Sequence, residues 1–255
     1  MPASFAVARS GHGTPMLLLP GAACDASLWE ETAHHLPPDY SVSAVTLAGF
    51  GGVPPIETPL LESARAELAD YLRDLAQPAV VVGHSMGGFL AYALAIDAPE
   101  AVAAVVAVDG VPSLRHLMTD DPNAGPATLA NMDEMSFRAW LEKSLSNMSS
   151  RPRPELARLA RLCHRETLDR AMHELWESDL RREVGAIAAP VLLVLPGEPR
   201  AGRRVLRARA EAQLQPIRHH DVVVIESARH MILLDAPAQL ADAIREFANA
   251  ILAPR

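Results

Sequence analysis

Ser85 lies in the run Ala79-Val-Val-Val-Gly83-His84-Ser85-Met86-Gly87-Gly88-Phe89, which contains Gly-x-Ser-x-Gly. The five-residue pattern alone is a weak signal. Here it falls between a strand-like apolar run and a helix-like segment, with almost no room between them. A serine hydroxyl serves as a nucleophile only if it projects free of its surroundings. A tight strand-to-helix turn achieves that by forcing the serine into strained backbone. Strand and helix then approach so closely that positions two before and two after must lack side chains, hence Gly83 and Gly87. The helix starting at Met86 would aim its first amide N–H groups at developing negative charge. The alternative is an ordinary glycine-rich β–α turn with a buried serine.

A serine nucleophile needs a base. Of ten histidines, His230 has the right setting. It follows the last apolar run, Val222-Val-Val-Ile225, and precedes the final helical segment. Loops at the carboxyl ends of parallel strands are where sites in open α/β sheets form. His84 is adjacent to Ser85, but side chains one apart on a sharp turn are expected to point different ways. Acyl transfer also needs two donors for an oxyanion. The backbone N–H of Met86 is one candidate. Ala22, in the loop Pro20-Gly21-Ala22-Ala23-Cys24 after an early strand, is the other.

The elements that must position these groups follow from periodicity. Short apolar runs at Phe5–Arg9, Met16–Leu19, Val42–Leu47, Ala79–Val82, Val102–Val108, Val191–Leu195 and Val222–Ile225 read as strands buried on both faces. Helices are expected over Leu28–Leu36 with Ser27 as cap, and over Leu61–Leu75, Met86–Ala98 and Pro237–Leu252. The alternation predicts an α/β fold, a mostly parallel central sheet flanked by helices. About 70 residues from Ser113 to Glu183 offer no strand, too many for a plain loop. Helical spacing recurs there after Ser136, after Pro154 and after Thr167. This reads as an inserted helical cap (113–183) in a core of residues 1–112 and 184–255. A separate helical bundle is the alternative.

Composition narrows the function. The chain has 255 residues, 49% hydrophobic and 21% charged, enough for a sizeable core without staples. Aromatics are only 4%, so Ala, Leu and Val must fill that core. The net charge of −8 argues against nucleic acid or an anionic membrane surface as partner. No apolar run is long enough to span a bilayer. The first residues do not resemble a secretory leader, so a cytoplasmic location is expected. Lys143 is the only lysine and follows Glu142, which leaves no phosphate-binding Gly-x-x-x-x-Gly-Lys loop. Cys24 and Cys163 suit neither a disulfide framework nor a zinc site. His173-Glu174-Leu175-Trp176-Glu177 matches a zinc-protease helix until its last position, where Glu replaces His. No metal or cofactor is expected.

Together these segments resemble the α/β-hydrolase superfamily, in its small capped esterase branch, over nearly the whole chain. Gly-His-Ser-Met-Gly-Gly resembles that branch's elbow. Pro20-Gly21 stands where many members have His-Gly. Ala48-Gly-Phe-Gly-Gly52 resembles its glycine-rich loop, and Arg229-His230-Met231 with Pro237 its histidine loop. The resemblance implies a cap over the active site. Trp140, Met135, Met148 and Trp176 are candidate pocket residues, although such stripes are more often core. One departure stands out. Many members take the triad acid from a Gly-x-x-Asp loop after the penultimate strand. Here the loop reads Pro196-Gly197-Glu198-Pro199-Arg200, with Arg200 in the acid's place. A second location used in the family, one strand earlier, holds Asp109. Asp109 is the preferred acid and Glu198 the alternative; Asp109 capping a turn before Gly110 also stays open.

The expected function is a serine hydrolase cleaving a small to medium, largely apolar carboxylic ester through an acyl-enzyme. Ser85, His230 and an acid would supply the chemistry. Lactonase, thioesterase, C–C-bond hydrolase and perhydrolase activities use the same constellation. A ligand-binding, receptor-like protein of this fold and a partner-binding domain with a chance elbow are the other readings.

Overall fold

Short apolar runs assemble into one sheet whose inner strands are largely buried. The edge strands at Phe5–Gly11 and His220–Ile225 are not buried on both faces as expected, because each has a neighbour on one side only. The computed structural model describes residues 3–121, 123–126, 128–129, 131–198 and 202–252. Its strands are β1 (Phe5–Gly11), β2 (Thr14–Leu19), β3 (Tyr40–Leu47), β4 (Ala79–His84), β5 (Val102–Val108), β6 (Val191–Pro196) and β7 (His220–Ile225). Among the described residues they form a seven-stranded sheet in the order β1-β3-β2-β4-β5-β6-β7. β1 runs antiparallel to β3, and every other pairing is parallel. All seven expected strands are present, most extended by a residue or two.

The helices are α1 (Glu30–His35), α2 (Leu60–Arg73), α3 (Met86–Asp97), α4 (Leu114–Met118), α5 (Glu134–Asn147), α6 (Pro154–Arg161), α7 (Arg165–Glu177), α8 (Arg203–Leu214), α9 (Ile232–Asp235) and α10 (Pro237–Leu252). α3 is apolar all round and packs on β4 and β5, with Met86 to Ala95 all buried. α4 to α7 lie between β5 and β6. α5 buries Phe137, Leu141 and Leu145, while α7 buries Leu168, Ala171, Leu175 and Trp176.

The helix starts differ from expectation in one consistent way. Ser27, Ser136 and Thr167 were expected to cap; the caps are Asp25, which opens a 3-10 turn over Ala26–Trp29 ahead of α1, Asp133 and His164. Each accepts the backbone N–H of the serine or threonine that follows it. The hydroxyls of Ser27 and Ser136 donate back to those carboxylates at 2.6 Å. For Asp25 and Asp133 an ionised carboxylate is the stronger acceptor for an orphan helix amide, so the serine moves inward; at α7 the His164 imidazole takes that place.

Side-chain bonds seat the α4–α7 segment on the core. Arg158 of α6 pairs with Asp25 at 2.8 and 3.1 Å and donates to Ser27 at 2.6 Å. The Glu174 carboxylate of α7 accepts the first amides of α2, Leu60 at 3.0 Å and Leu61 at 2.7 Å. Asp235 accepts from the Ser149 hydroxyl at 2.7 Å and from the Ser150 amide at 2.9 Å.

Candidate active site

Parallel register carries three functional segments to one end of the sheet. β4 and β5 pair through His84 and Val108, so Ser85 and Asp109 are the next residues on adjacent strands. The ladder continues past the strand ends. The Ser85 amide donates to the Val108 carbonyl at 2.9 Å, and the Asp109 amide to Val194 at 2.8 Å. Both residues take left-handed backbone, with φ 54° at Ser85 and 45° at Asp109. A non-glycine residue held there costs about 1–3 kcal/mol and persists only where the surroundings enforce it. Asp tolerates the region better than most residues; Ser85 also has ψ −116°, outside the left-handed helical well.

The close approach inferred for the turn is present. A Cβ on Gly83 would collide with the backbone oxygen of Gly87, and one on Gly87 with that of Leu19. Ser85 precedes α3 directly, and the carbonyl of Ser85 accepts from Gly88 and Phe89. The Met86 amide belongs to the first turn, whose N–H groups have no acceptor within their own helix. The loop after β2 faces the same turn. A Cβ on Gly21 would lie 3.2 Å from the Ser85 Cβ and 2.9 Å from His84 Nδ1. Ala22 follows Gly21 in that loop and is half-buried.

His230 enters from the loop after β7. Its Nδ1 lies 2.7 Å from Asp109 Oδ2. A buried carboxylate accepts, so Nδ1 carries the proton and Nε2 presents a lone pair. Asp109 has only 11% of its side chain exposed. Burial pushes its carboxyl up, and the His230 hydrogen bond together with the charges of His230 and Arg203 outweighs that and holds it below the ordinary value. Glu198 is engaged through its backbone: its amide donates to Ala228, and its carbonyl accepts from Arg203. Asp109, not Glu198, therefore contacts the imidazole. Pro199 and Arg200 lie outside the described residues.

Residues 16–243 match the model of the alpha/beta hydrolase family. The chain belongs to that family. The pimeloyl-[acyl-carrier protein] methyl ester esterase of Aeromonas salmonicida is 27% identical, over 96% of this chain and 99% of that protein. The esterase EaEST from Exiguobacterium antarcticum superposes with a TM-score of 0.79 at 17% identity, covering 96% of this chain and 95% of that one. An enol-lactonase from Burkholderia xenovorans LB400 gives 0.73 at 17%, covering 98% and 96%.

In this alpha/beta hydrolase His84 does more than spacing suggested. Its ring is 1% exposed and packs 4.6 Å, centroid to centroid, from the His230 ring. Its Nε2 donates to the His230 carbonyl at 2.9 Å, because a carbonyl can only accept. Burial first, and the adjacent His230 second, push its pKa down to about 3, so the ring is neutral across the working range. His84 is the last residue of β4, and its buried ring packs against that of His230. Spacing alone carries no signal for that.

The expected pocket residues are scattered. Trp176 is buried, and its indole N–H donates to the Ala124 carbonyl at 2.9 Å. Met135 is 81% exposed on α5. Trp140 is 37% exposed and stacks on Phe137, and Met148 is 39% exposed. The Met148 carbonyl accepts the Met231 amide at 2.9 Å, which puts it beside the histidine loop. Two clefts, of about 340 and 460 Å³, lie elsewhere, against α7, and include neither Ser85 nor His230. The zinc-like stretch has structural partners: His173 Nδ1 donates to the Asp169 carbonyl, and Glu174 caps α2. Among the described residues no group of three or more metal-ligating side chains comes together. Among them also no helix is long and apolar enough to cross a membrane.

Proposed function

We propose that this protein hydrolyses carboxylic esters through an acyl-enzyme on Ser85. The observation that carries the reading is the 2.7 Å bond from His230 to Asp109 beside a strained Ser85. That bond fixes the imidazole tautomer with its free lone pair on Nε2. Ser85 Oγ attacks the ester carbonyl as His230 Nε2 takes its proton. The Met86 and Ala22 amides receive the oxyanion. His230 then protonates the departing alkoxide. Water repeats the sequence on the acyl-enzyme, and the acid leaves with Ser85 restored. Asp109 orients the ring and stabilises the imidazolium without itself taking a proton. α4 to α7, bonded to the loops around this centre, act as its cap. The substrate is an ester with a small to medium, largely apolar acyl group. The full-length relative's methyl ester specificity makes a small alcohol a reasonable leaving group.

The test is a panel of aryl and methyl esters of rising acyl length, run on wild type and Ser85→Ala. An organophosphonate should label Ser85 and abolish turnover, and Ser85→Ala should lower kcat by about 10⁴-fold or more. Label elsewhere, or activity retained in Ser85→Ala, overturns the reading. Stoichiometric binding without turnover of any ester would favour a receptor-like role instead.

A further inference from the structure

The helix that follows β6 brings a cation up to Asp109. We infer that Arg203 is a positioning residue for the triad, holding the far oxygen of Asp109 so that the near one stays on His230. The inference rests on the proposed roles of Ser85, His230 and Asp109.

Arg203 opens α8, just after the β6 loop. Its Nη1 lies 3.9 Å from Asp109 Oδ1, the oxygen that His230 does not use. Its Nη2 donates to the Glu198 carbonyl at 2.9 Å. Glu198 in turn donates its amide to Ala228, two residues before His230. One guanidinium thus stands between the acid that follows β5 and the loop after β6, and that loop is bonded in turn to the histidine loop. The side chain is only 18% exposed, so water screens the charge weakly. Arginine suits this place because its planar fork keeps two donors at a fixed angle and stays charged at every working pH.

Two consequences follow for the acid–base chemistry. A cation 3.9 Å from one oxygen favours the carboxylate orientation that leaves the other oxygen on the imidazole. The cation also keeps Asp109 ionised while opposing, through space, the positive charge that His230 gains in the reaction. The titratable and charged groups acting on Asp109 are His230, Arg203 and the neutral His84. Removing Arg203 raises the pH at which Asp109 ionises, so the acidic limb of the rate profile moves to higher pH.

The test is the pH dependence of kcat and kcat/KM on p-nitrophenyl butyrate for wild type, Arg203→Met, Arg203→Lys and Arg203→Gln. Arg204, exposed and next on α8, provides Arg204→Met as the control for a lost charge without the contact. Arg203→Met should lower kcat by about three- to tenfold at unchanged KM and move the acidic limb up by about half a unit or more. Arg203→Lys should restore most of the limb position, and Arg204→Met should leave it in place. If Arg203→Met does not fold, the difference between Arg203→Lys and Arg203→Gln reads the same charge. An unmoved limb in the charge-removing variants, or an equal shift in Arg204→Met, overturns the inference. Asp109→Asn run alongside separates the two levels. If that variant is inactive while the limb stays put, only the role of Arg203 fails. If Asp109→Asn is as active as wild type, the triad reading fails with it.

Discussion

The sheet and the α4–α7 segment are held by different forces. β4 and β5 lie in mid-sheet, hydrogen-bonded on both sides, under a helix α3 that is buried on every face. Backbone ladders reach past the strand ends to Ser85 and Asp109. The helices between β5 and β6 have an apolar inner stripe and polar outer faces. Their seams with the core are carboxylates: Asp25 with Arg158, Glu174 on α2, and Asp235 on Ser149 and Ser150. Ser85 and Asp109 are thus placed by main chain, which pH and salt barely touch. The seat of α4 to α7 adds titratable side chains to a few main-chain bonds, such as those from Met231 to Met148 and from His164 to Gly49. Mutations at the sheet ends should abolish turnover in a folded protein, and mutations at the seams should change stability more than chemistry.

The largest effect expected from this contrast is at the sheet end. Asp109→Asn replaces the only carboxylate bonded to His230 among the described residues, and its amide can favour the wrong tautomer. A fall in kcat of about 10⁴-fold with little change in KM is expected, with the serine-protease figure as guide. Glu198→Gln should stay within a few-fold, because Glu198 engages its neighbours through main-chain atoms. Steady-state kinetics on folded variants decide it. Near-normal Asp109→Asn with a collapsed Glu198→Gln would move the acid to the β6 loop.

At the seams the expected loss is in stability. Asp25 is buried in the loop after β2, and burial pushes its carboxyl up. The bonds from Arg158 and Ser27 outweigh that and hold it below its ordinary value. A carboxyl lowered on folding stabilises the folded state above its unfolded value of about 4. That contribution is lost as pH falls from there toward the lower folded value. Asp25→Asn should cost about 1–2 kcal/mol at pH 7, the worth of a charge-assisted hydrogen bond. Urea denaturation of wild type and variant should show the gap closing between pH 5 and 3. A gap that stays constant with pH would mean that packing, not the ion pair, seats α6.

How far each region was legible follows the same division. The strands stand out because Val191-Leu-Leu-Val-Leu195 and its counterparts are continuous apolar runs between turn residues. The elbow is legible because Gly83 and Gly87 are demanded by contact with named backbone atoms. α8 was not expected. It opens with the arginine-rich run Arg203-Arg-Val-Leu-Arg-Ala-Arg209, and the whole helix buries only Ala210, Gln213 and Leu214, too few to print a helical period. With it went Arg203, whose approach to Asp109 depends on a three-dimensional meeting of β5 and α8. The caps were misplaced by a turn because Asp and Ser compete for the same role, and spacing does not say which oxygen wins. His84 was set aside because its partner, the His230 loop, lies 146 residues away and meets it only in the folded chain.

The smallest effect is expected on the outer face of α5. Its place in the expected cap made Met135 a candidate for the substrate pocket, yet it is 81% exposed. A side chain that open to water cannot desolvate an acyl chain, so it has no methylene-by-methylene preference to confer. It also buries too little area to matter to folding. Met148 provides the contrast, since its carbonyl is bonded to Met231, next to His230. Met135→Ala should keep kcat/KM within twofold across the whole ester panel, and its unfolding free energy within about 0.5 kcal/mol of wild type. The sensitive measurement is the ratio of rates for long and short acyl chains, in which errors in enzyme concentration cancel. A change in that ratio for Met135→Ala would mean that substrate reaches the outer face of α5. The covering helices would then have to lift in solution, carrying the Asp25 and Asp235 seams with them. A change confined to Met148→Ala would place the acyl group at the inner end of the same helix, against the histidine loop.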